Sequence, residues 1–405
     1  MAANEMSFNQ IATLLNAIQA QATGVQPAAV ALNTRDFVTQ AQTVLKTGYD
    51  PIGQAISQVL SRTIFSIRPY SAKFKALQAD AVRYGNHVRK INYADRPFVE
   101  DDRIKITDGV DAPQQIPRVP AVVQTNFYGE NIYEDYYTIY RDQYDVAFTG
   151  PDEFQRFISG IVQNASDKLE QSRENLARSL VANYIAAKHV LVSNQLESPV
   201  SVVHLLTEYN TLTGLTGDDA LTDATVFQPA NFAPFMKWVY SRVAQLTSMM
   251  TERSGLYHVN ITKDGSTITI PRHTPLERQR VYLYAPARFQ IDARVLADTY
   301  HDNFLRLAEN ETVNFWQNIS LPDTINVHPN WLNPDGTVGE TSEDVELDKI
   351  FGVIVDEETL GWTPINQWQA PAPFNARHGF TTVWIHETQR HWTDMTENGA
   401  ILLLD

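Results

Sequence analysis

Two histidines and a glutamate in HETQRH, with His386 and His391 flanking Glu387, are this sequence's nearest approach to a metal-binding motif. Zinc hydrolases that bind metal through one helix need the two imidazoles four residues apart, so that both leave the same face. Here they are five apart, about 140° off on a helix and on opposite faces of a strand. The residues around them read as strand, so no metal site is expected, and no cofactor. His189, at the end of a long helical stretch, is placed to cap carbonyls rather than to ligate. Cys is absent, which removes disulfides, thiolate ligands and Cys nucleophiles together. There is no GxSxG elbow, no Walker loop and no GxGxxG after a strand. DDALTD, residues 218–223, lacks the glycine and the spacing of a calcium loop. Carboxylates and seven tryptophans could still furnish a glycosidase pair and a sugar cleft. A carbohydrate-active enzyme is therefore one alternative, although no catalytic residue stands out.

A second stretch asks for a different chemistry. ENIYEDYYTIYRDQYD, residues 130–145, holds five tyrosines, five carboxylates and one arginine. Such a segment suits either a cleft for sugars or cations, or a strand that lies against another copy of the same chain. Candidate contact residues within it are Tyr133, Glu134, Asp135, Tyr136, Tyr137 and Tyr140. Charge elsewhere offers them partners. Between Ser61 and Val99 eight basic residues, Arg83, Arg89 and Lys90 among them, face two acidic ones, a local balance of +6. Between Glu340 and Glu358 eight carboxylates face one lysine, a local balance of −7. These are two solvated loops, or complementary patches that set register between copies.

The elements that would position these residues must fit a chain of 405 residues, 43% hydrophobic and 20% charged, with a net charge of −15. That composition describes a folded protein with a substantial core in two or three lobes. A net negative charge argues against coating nucleic acid through the whole surface, though not against surrounding it. No apolar run is long enough to cross a bilayer, and the N-terminus does not read as a secretory signal.

Residues 1 to about 60 read as short amphipathic helices, with Phe8, Ile11, Leu14, Leu15 and Ile18 at helical spacing. With no long element to fold onto locally, they form an arm that finds its apolar partner elsewhere. From Asp95 to Asp145 the texture turns to prolines and alternation. Val119, Ala121, Val123, Thr125 and Phe127 alternate, residues 128–131 supply a turn, and the tyrosine-rich segment follows as the returning strand of a thin hairpin. The clearest element begins at Pro151, a favoured first-turn residue, with Asp152 and Glu153 just inside. A stripe from Phe154 to Ala187 steps by threes and fours along a segment of about forty residues. It drifts at 3.6 rather than holding a heptad, so it reads as a spine helix on a sheet, not a coiled coil. A helix over Asn231–Arg253 presents Phe235, Val239, Val243, Leu246 and Met250. NITKDGSTITIP reads as a hairpin turning at Asp264-Gly265, RQRVYLYAPARFQIDARVLADTYHD as strand then helix, and GVIVDEETLGW and HGFTTVWIHETQRHW as strands. Helices and strands mix without a βα repeat, so the class is α+β.

An N-terminal arm, a projecting hairpin, a spine helix, a central lobe and a returning strand, in that order, resemble the major capsid proteins of tailed double-stranded DNA bacteriophages, the Hong Kong 97 (HK97-like) fold. The pattern is most similar to the head proteins of small protein-primed podophages. It is carried by SFNQIATLLNAI, FQRFISGIVQNASDKLE, RVYLYAPARFQIDARVLADTYHD and FNARHGFTTVWIHETQRHW, and it covers most of the chain. The resemblance implies an N-terminal arm over 1–90, an extended β-hairpin loop over 91–148, and a peripheral domain with the spine helix over 149–225. It implies an axial domain over 226–350 and a return to the peripheral domain over 351–405. The tyrosine-rich strand would then lie over a neighbouring subunit. The family carries no catalytic residues, so none are transferred. Hexamers and pentamers in an icosahedral head are implied, with scaffolding, portal and other head proteins as partners. Double-stranded DNA would be enclosed without sequence-specific binding, no membrane is involved, and heads would assemble in the host cytoplasm. An encapsulin-like compartment shell shares the fold and is a second alternative.

Overall fold

The structure is a computed structural model describing residues 7–25, 30–62, 74, 77–78, 87–93, 122–128, 131–263, 266–285 and 310–405. In chain order the principal elements are α1 (Phe8–Thr23), α2 (Thr34–Leu45), α3 (Tyr49–Arg62), β1 (His87–Tyr93), β2 (Val122–Tyr128), β3 (Asn131–Tyr140), α4 (Arg141–Ala147), α5 (Pro151–Ser193), β4 (Val202–His204), α6 (Pro229–Met250), β5 (Gln279–Tyr284), β6 (Asn310–Val313), β7 (Ile350–Asp356), β8 (Leu360–Pro371), β9 (Phe380–Thr393) and β10 (Gly399–Leu403). The chain divides into two compact units. One takes Met1–Gly85, Gly129–Leu176 and Thr363–Arg390; the other takes Asn86–Tyr128, Ala177–Trp362 and His391–Asp405. Among the described residues no helix is long and apolar enough to cross a membrane.

The first unit is built on helices that the sequence expects to find a partner elsewhere. Asn33 accepts the Asp36 N–H at 2.9 Å to start α2, a side-chain cap of the usual kind. The apolar stripes of α1, α2 and α3 close into one cluster: Ile11, Leu15, Ile18, Phe37, Val44 and Ile52 are buried with Ile139, Tyr144, Phe148, Phe154 and Ile158. The partner is thus the chain's own segment from β3 into α5. It is remote in sequence, which is why periodicity within the first sixty residues does not reveal it.

Above this cluster lies a three-stranded sheet in the order β8-β9-β3. Strands β9 and β3 run antiparallel, from Phe380 opposite Tyr140 to Gln389 opposite Asn131. The expected hairpin is therefore re-paired. The tyrosine-rich strand does not return against 119–127; β2 pairs instead with β1, Tyr93 opposite Val122 through His87 opposite Tyr128. The physical reason is burial, because an isolated two-stranded ribbon has no core to offer. Ile139 finds one only by joining the sheet over α1–α3. The turn expected at 128–131 includes Gly129 and Glu130, which lie outside the described residues.

The spine helix α5 runs 43 residues from Pro151, about 65 Å at 1.5 Å per residue. Its first part lies against the sheet of the first unit. Lys168 pairs with Asp135 at 3.1 Å and Arg173 Nη2 with Glu387 at 2.6 Å.

The second unit holds a five-stranded sheet in the order β4-β10-β7-β5-β6. Its central strand β7 is buried along its whole length, as the continuous apolar run implies. Helix α6 lays Phe235, Val239, Val243, Leu246 and Met250 on Val281, Leu283, Ile354 and Leu402, the face read from its spacing. Short strands Ile261–Lys263 and Ser266–Ile268 pair around the expected 264–265 turn. The helix expected after Pro286 falls outside the described residues.

Candidate assembly surface

Pleating sends successive residues of β3 and β9 to opposite faces, and the two faces are built for different purposes. On one, Ile139, Thr381, Val383, Ile385, Glu387 and Gln389 are buried. Tyr137 packs on the helical cluster of its own unit, and burial pushes its phenol well above the ordinary value. Glu387 accepts from Arg173 Nη2 at 2.6 Å and from Gln389 Nε2 at 2.7 Å, so a carboxylate in the pleat is fully occupied by its own chain.

The other face is aromatic and open. Ile132 is 69% exposed, Tyr136 54%, Tyr140 54% and Trp368 47%. The rings lie in two groups along the strands. Tyr140 meets Phe380 edge-on at 6.0 Å, Tyr136 meets Trp384 at 4.9 Å, and Trp368 stacks on His386 at 4.0 Å. Glu134 lies on the same face, its Oε2 3.9 Å from His386 Nδ1. In a monomer, side chains this large pack inward or stand singly; a contiguous group marks an interaction surface.

Six candidates from the tyrosine-rich segment therefore separate by parity. Glu134, Tyr136 and Tyr140 stand on the open face. Asp135 is paired with Lys168, Tyr137 belongs to the core side, and half-buried Tyr133 sits opposite Glu387. Trp368, Trp384 and Phe380 complete the open face and are absent from the sequence-derived candidates. Their signal was the alternation Phe380, Thr382, Trp384, His386, with Trp368 arriving from a strand whose register no local pattern fixes.

The basic candidates are distributed differently. Arg83 lies outside the described residues, and Arg89 occupies the hairpin rung opposite Asn126. Lys90 is committed within its own chain, its ammonium 2.6 Å from Asp394 Oδ2 and also bonded to Glu397. Part of the acidic stretch is likewise engaged internally, since Arg278 binds Glu357 at 2.6 Å and also Glu358, while the stretch's one lysine, Lys349, pairs with Asp223 outside it at 2.5 Å. His386, singled out with His391 for its motif, stacks on Trp368. Among the described residues no group of three or more His, Asp or Glu could hold a metal ion.

Two solved structures share this fold. A chain from the structure of the head fiber and inner core protein gp22 of native bacteriophage P68 superposes with a TM-score of 0.54, at 10% identity, over 85% of this chain and 87% of that one. A chain from the capsid of Staphylococcus phage Andhra gives 0.52, at 11% identity, over the same shares. The fold is that of phage capsid proteins, the HK97-like fold. No curated protein sequence matches the chain. The family model for the Phi29-like phage major capsid protein matches residues 15–403, and the chain belongs to that family. It is a structural shell protein and a virion component.

Proposed function

We propose that this chain assembles as hexamers and pentamers into an icosahedral head around double-stranded DNA, and that the open face of β3, β9 and β8 is covered by a neighbouring copy. The observation that carries the reading is the set of half-exposed rings between Tyr140 and Trp368 on a sheet whose other face is packed. Large aromatics with a depleted charge around them are what the centres of protein interfaces use. Each ring removed from water contributes about 1.5–3 kcal/mol, repeated at every copy of a closed shell. The hairpin of β1 and β2 takes the part of the extended loop expected over 91–148. Residues 226–350 take the axial role, and the first unit takes the peripheral one.

A net charge of −15 supports enclosure of DNA without attachment to it, because like charges repel across about 8 Å at physiological salt. A scaffold and a portal belong to the same reading, as does assembly in the host cytoplasm. The test is Tyr136→Ser with Trp384→Ser. The isolated subunit should keep its helical content while sedimentation and negative-stain microscopy show no uniform shells. Shells of normal diameter and stability would overturn the assignment of this face.

A further inference from the structure

The three-stranded sheet ends at β3, in the order β8-β9-β3. Bonds beside β9 fix which backbone groups of β3 point outward. Phe380 O and Thr382 O accept from the Asn375 and Ala372 N–H groups at 2.8 and 2.7 Å, in the segment that follows β8 and so away from β3. The Arg141 N–H, one residue past β3, donates to Gly379 O at 2.9 Å. In an antiparallel pair the amide and carbonyl of one residue point the same way, and the direction alternates along the strand. Tyr140, Thr138, Tyr136, Glu134 and Ile132 therefore turn theirs away from β9. The Tyr140 N–H is taken by Gln143 Oε1 at 2.9 Å. Among the described residues no hydrogen bond reaches the outward groups of Ile132, Glu134, Tyr136 and Thr138.

An open edge is a template for another strand, and natural sheets blunt theirs with proline, lysine or a bulge. At the opposite edge β8 carries Pro364 and Pro371, which have no N–H to donate. β3 has neither proline nor lysine, and its register with β9 runs without a shift from Tyr140 to Asn131. Its sequence also fits itself. When two copies meet edge to edge about a two-fold axis, facing residues share a face of the sheet, so the axis passes through one residue. An axis through Glu134 or Asp135 sets like charges side by side, which destabilises. An axis through Tyr136 sets that residue against itself, Glu134 against Thr138, Ile132 against Tyr140 and Asp135 against Tyr137, with no like charges opposed. The outward groups of residues 134, 136 and 138 then satisfy one another. An axis through Tyr137 sets Ile132 against Asp142, which lies beyond the strand, and axes nearer either end shorten the ladder further.

We propose that β3 pairs antiparallel with β3 of a second copy about a two-fold axis through Tyr136, joining two sheets into one across the subunit boundary. The contact uses the edge of the strand and not its open face. It rests on the reading above only in that an icosahedral head supplies the two-fold axes.

The chain lacks Cys, so an introduced thiol has only its own counterparts to join. In shells oxidised after assembly, Tyr136→Cys should run mostly as a disulfide-linked dimer on non-reducing gels. Its Cα atoms would lie about 5.5 Å apart, within disulfide reach. Glu134→Cys or Thr138→Cys alone should stay monomeric, because each lies about 14 Å from its counterpart, four residues along the ladder. The two together in one chain should give the dimer with Tyr136 intact. Monomer from both Tyr136→Cys and the Glu134→Cys, Thr138→Cys chain, or dimer from either single variant at 134 or 138, would overturn the pairing. Thr138→Pro removes an outward N–H, which a free edge tolerates, and Thr138→Val keeps it. Thr138→Pro shells should dissociate at lower urea than Thr138→Val shells, or fail to form from subunits of unchanged helical content. Equal urea midpoints would overturn the pairing even where no thiol variant assembles. Shell formation by the Tyr136→Ser, Trp384→Ser chain tests the open face, whereas the joined thiols and the difference between Pro and Val test the edge.

Discussion

The indole of Trp368 and the imidazole of His386 stack with centroids 4.0 Å apart and planes 17° from parallel, on the face of the sheet left open among the described residues. A stack of this kind contributes about 0.5–1.5 kcal/mol beyond its area. Trp368→Ala should accordingly lower the subunit's unfolding free energy by about that amount in urea titrations. Assembly should suffer more, with the subunit concentration needed for shells rising several-fold in sedimentation. Equal, small effects on both would show that this end of the face is not an interface.

Tyr136 and Tyr137 are neighbours in sequence with opposite fates in the pleat. Tyr137→Ser removes a ring packed on the helical cluster and should cost about 3–5 kcal/mol of subunit stability. Tyr136→Ser removes a half-exposed ring and should cost under about 1 kcal/mol while weakening shells. Denaturant midpoints measured beside particle yield separate the two, and a reversed order would invert the assignment of the faces.

Lys188 and Glu197 meet at 2.5 Å with both side chains fully buried, and Lys188 also donates to Tyr257 O at 2.9 Å. Burial lowers the affinity of Lys188 for its proton and raises that of Glu197, each opposed by the other's charge. Lys188→Met should cost about 3–5 kcal/mol by stranding a carboxylate. Adding Glu197→Leu should recover most of it, since apolar replacement of a whole buried pair is often neutral. A double-mutant cycle by calorimetry measures the difference, and additive losses would refute the pairing.

Tyr144 is buried in the first unit, and burial pushes its phenol up to about 12. A folded value above the unfolded one means that this contribution is complete below about pH 10 and is lost as pH rises through 12. At 1.36 kcal/mol per unit, about 2–3 kcal/mol is at stake. Absorbance of phenolate should therefore appear together with loss of helical circular dichroism above about pH 10. Tyr144→Phe should shift that loss to higher pH.

Much of the architecture was legible where burial follows a local period. The stripe of α5, the face of α6 and the apolar run of β7 each declare their role within a single element. What was illegible was pairing at long range. Nothing local to 130–145 says that Tyr136 will meet Trp384 rather than a residue of β2, because both pairings satisfy the backbone. Packing over α1–α3 decides between them. Lys90 shows the same limit, since its carboxylates lie 304 and 307 residues away. The basic surplus of residues 61–99 was visible in the sequence, but its destination was not.

The alternation along β3 has a consequence for how the protein can change over time. Residues 133, 135, 137 and 139 answer to the subunit's own interior, and residues 132, 134, 136 and 140 answer to whatever lies above the sheet. Two selective pressures are thus threaded through one strand without sharing a side chain. Among relatives whose shells differ in curvature or partners, substitutions along this strand should fall at every second residue. The intervening positions should stay fixed, so that one half of the strand follows the neighbour's history and the other half the subunit's own.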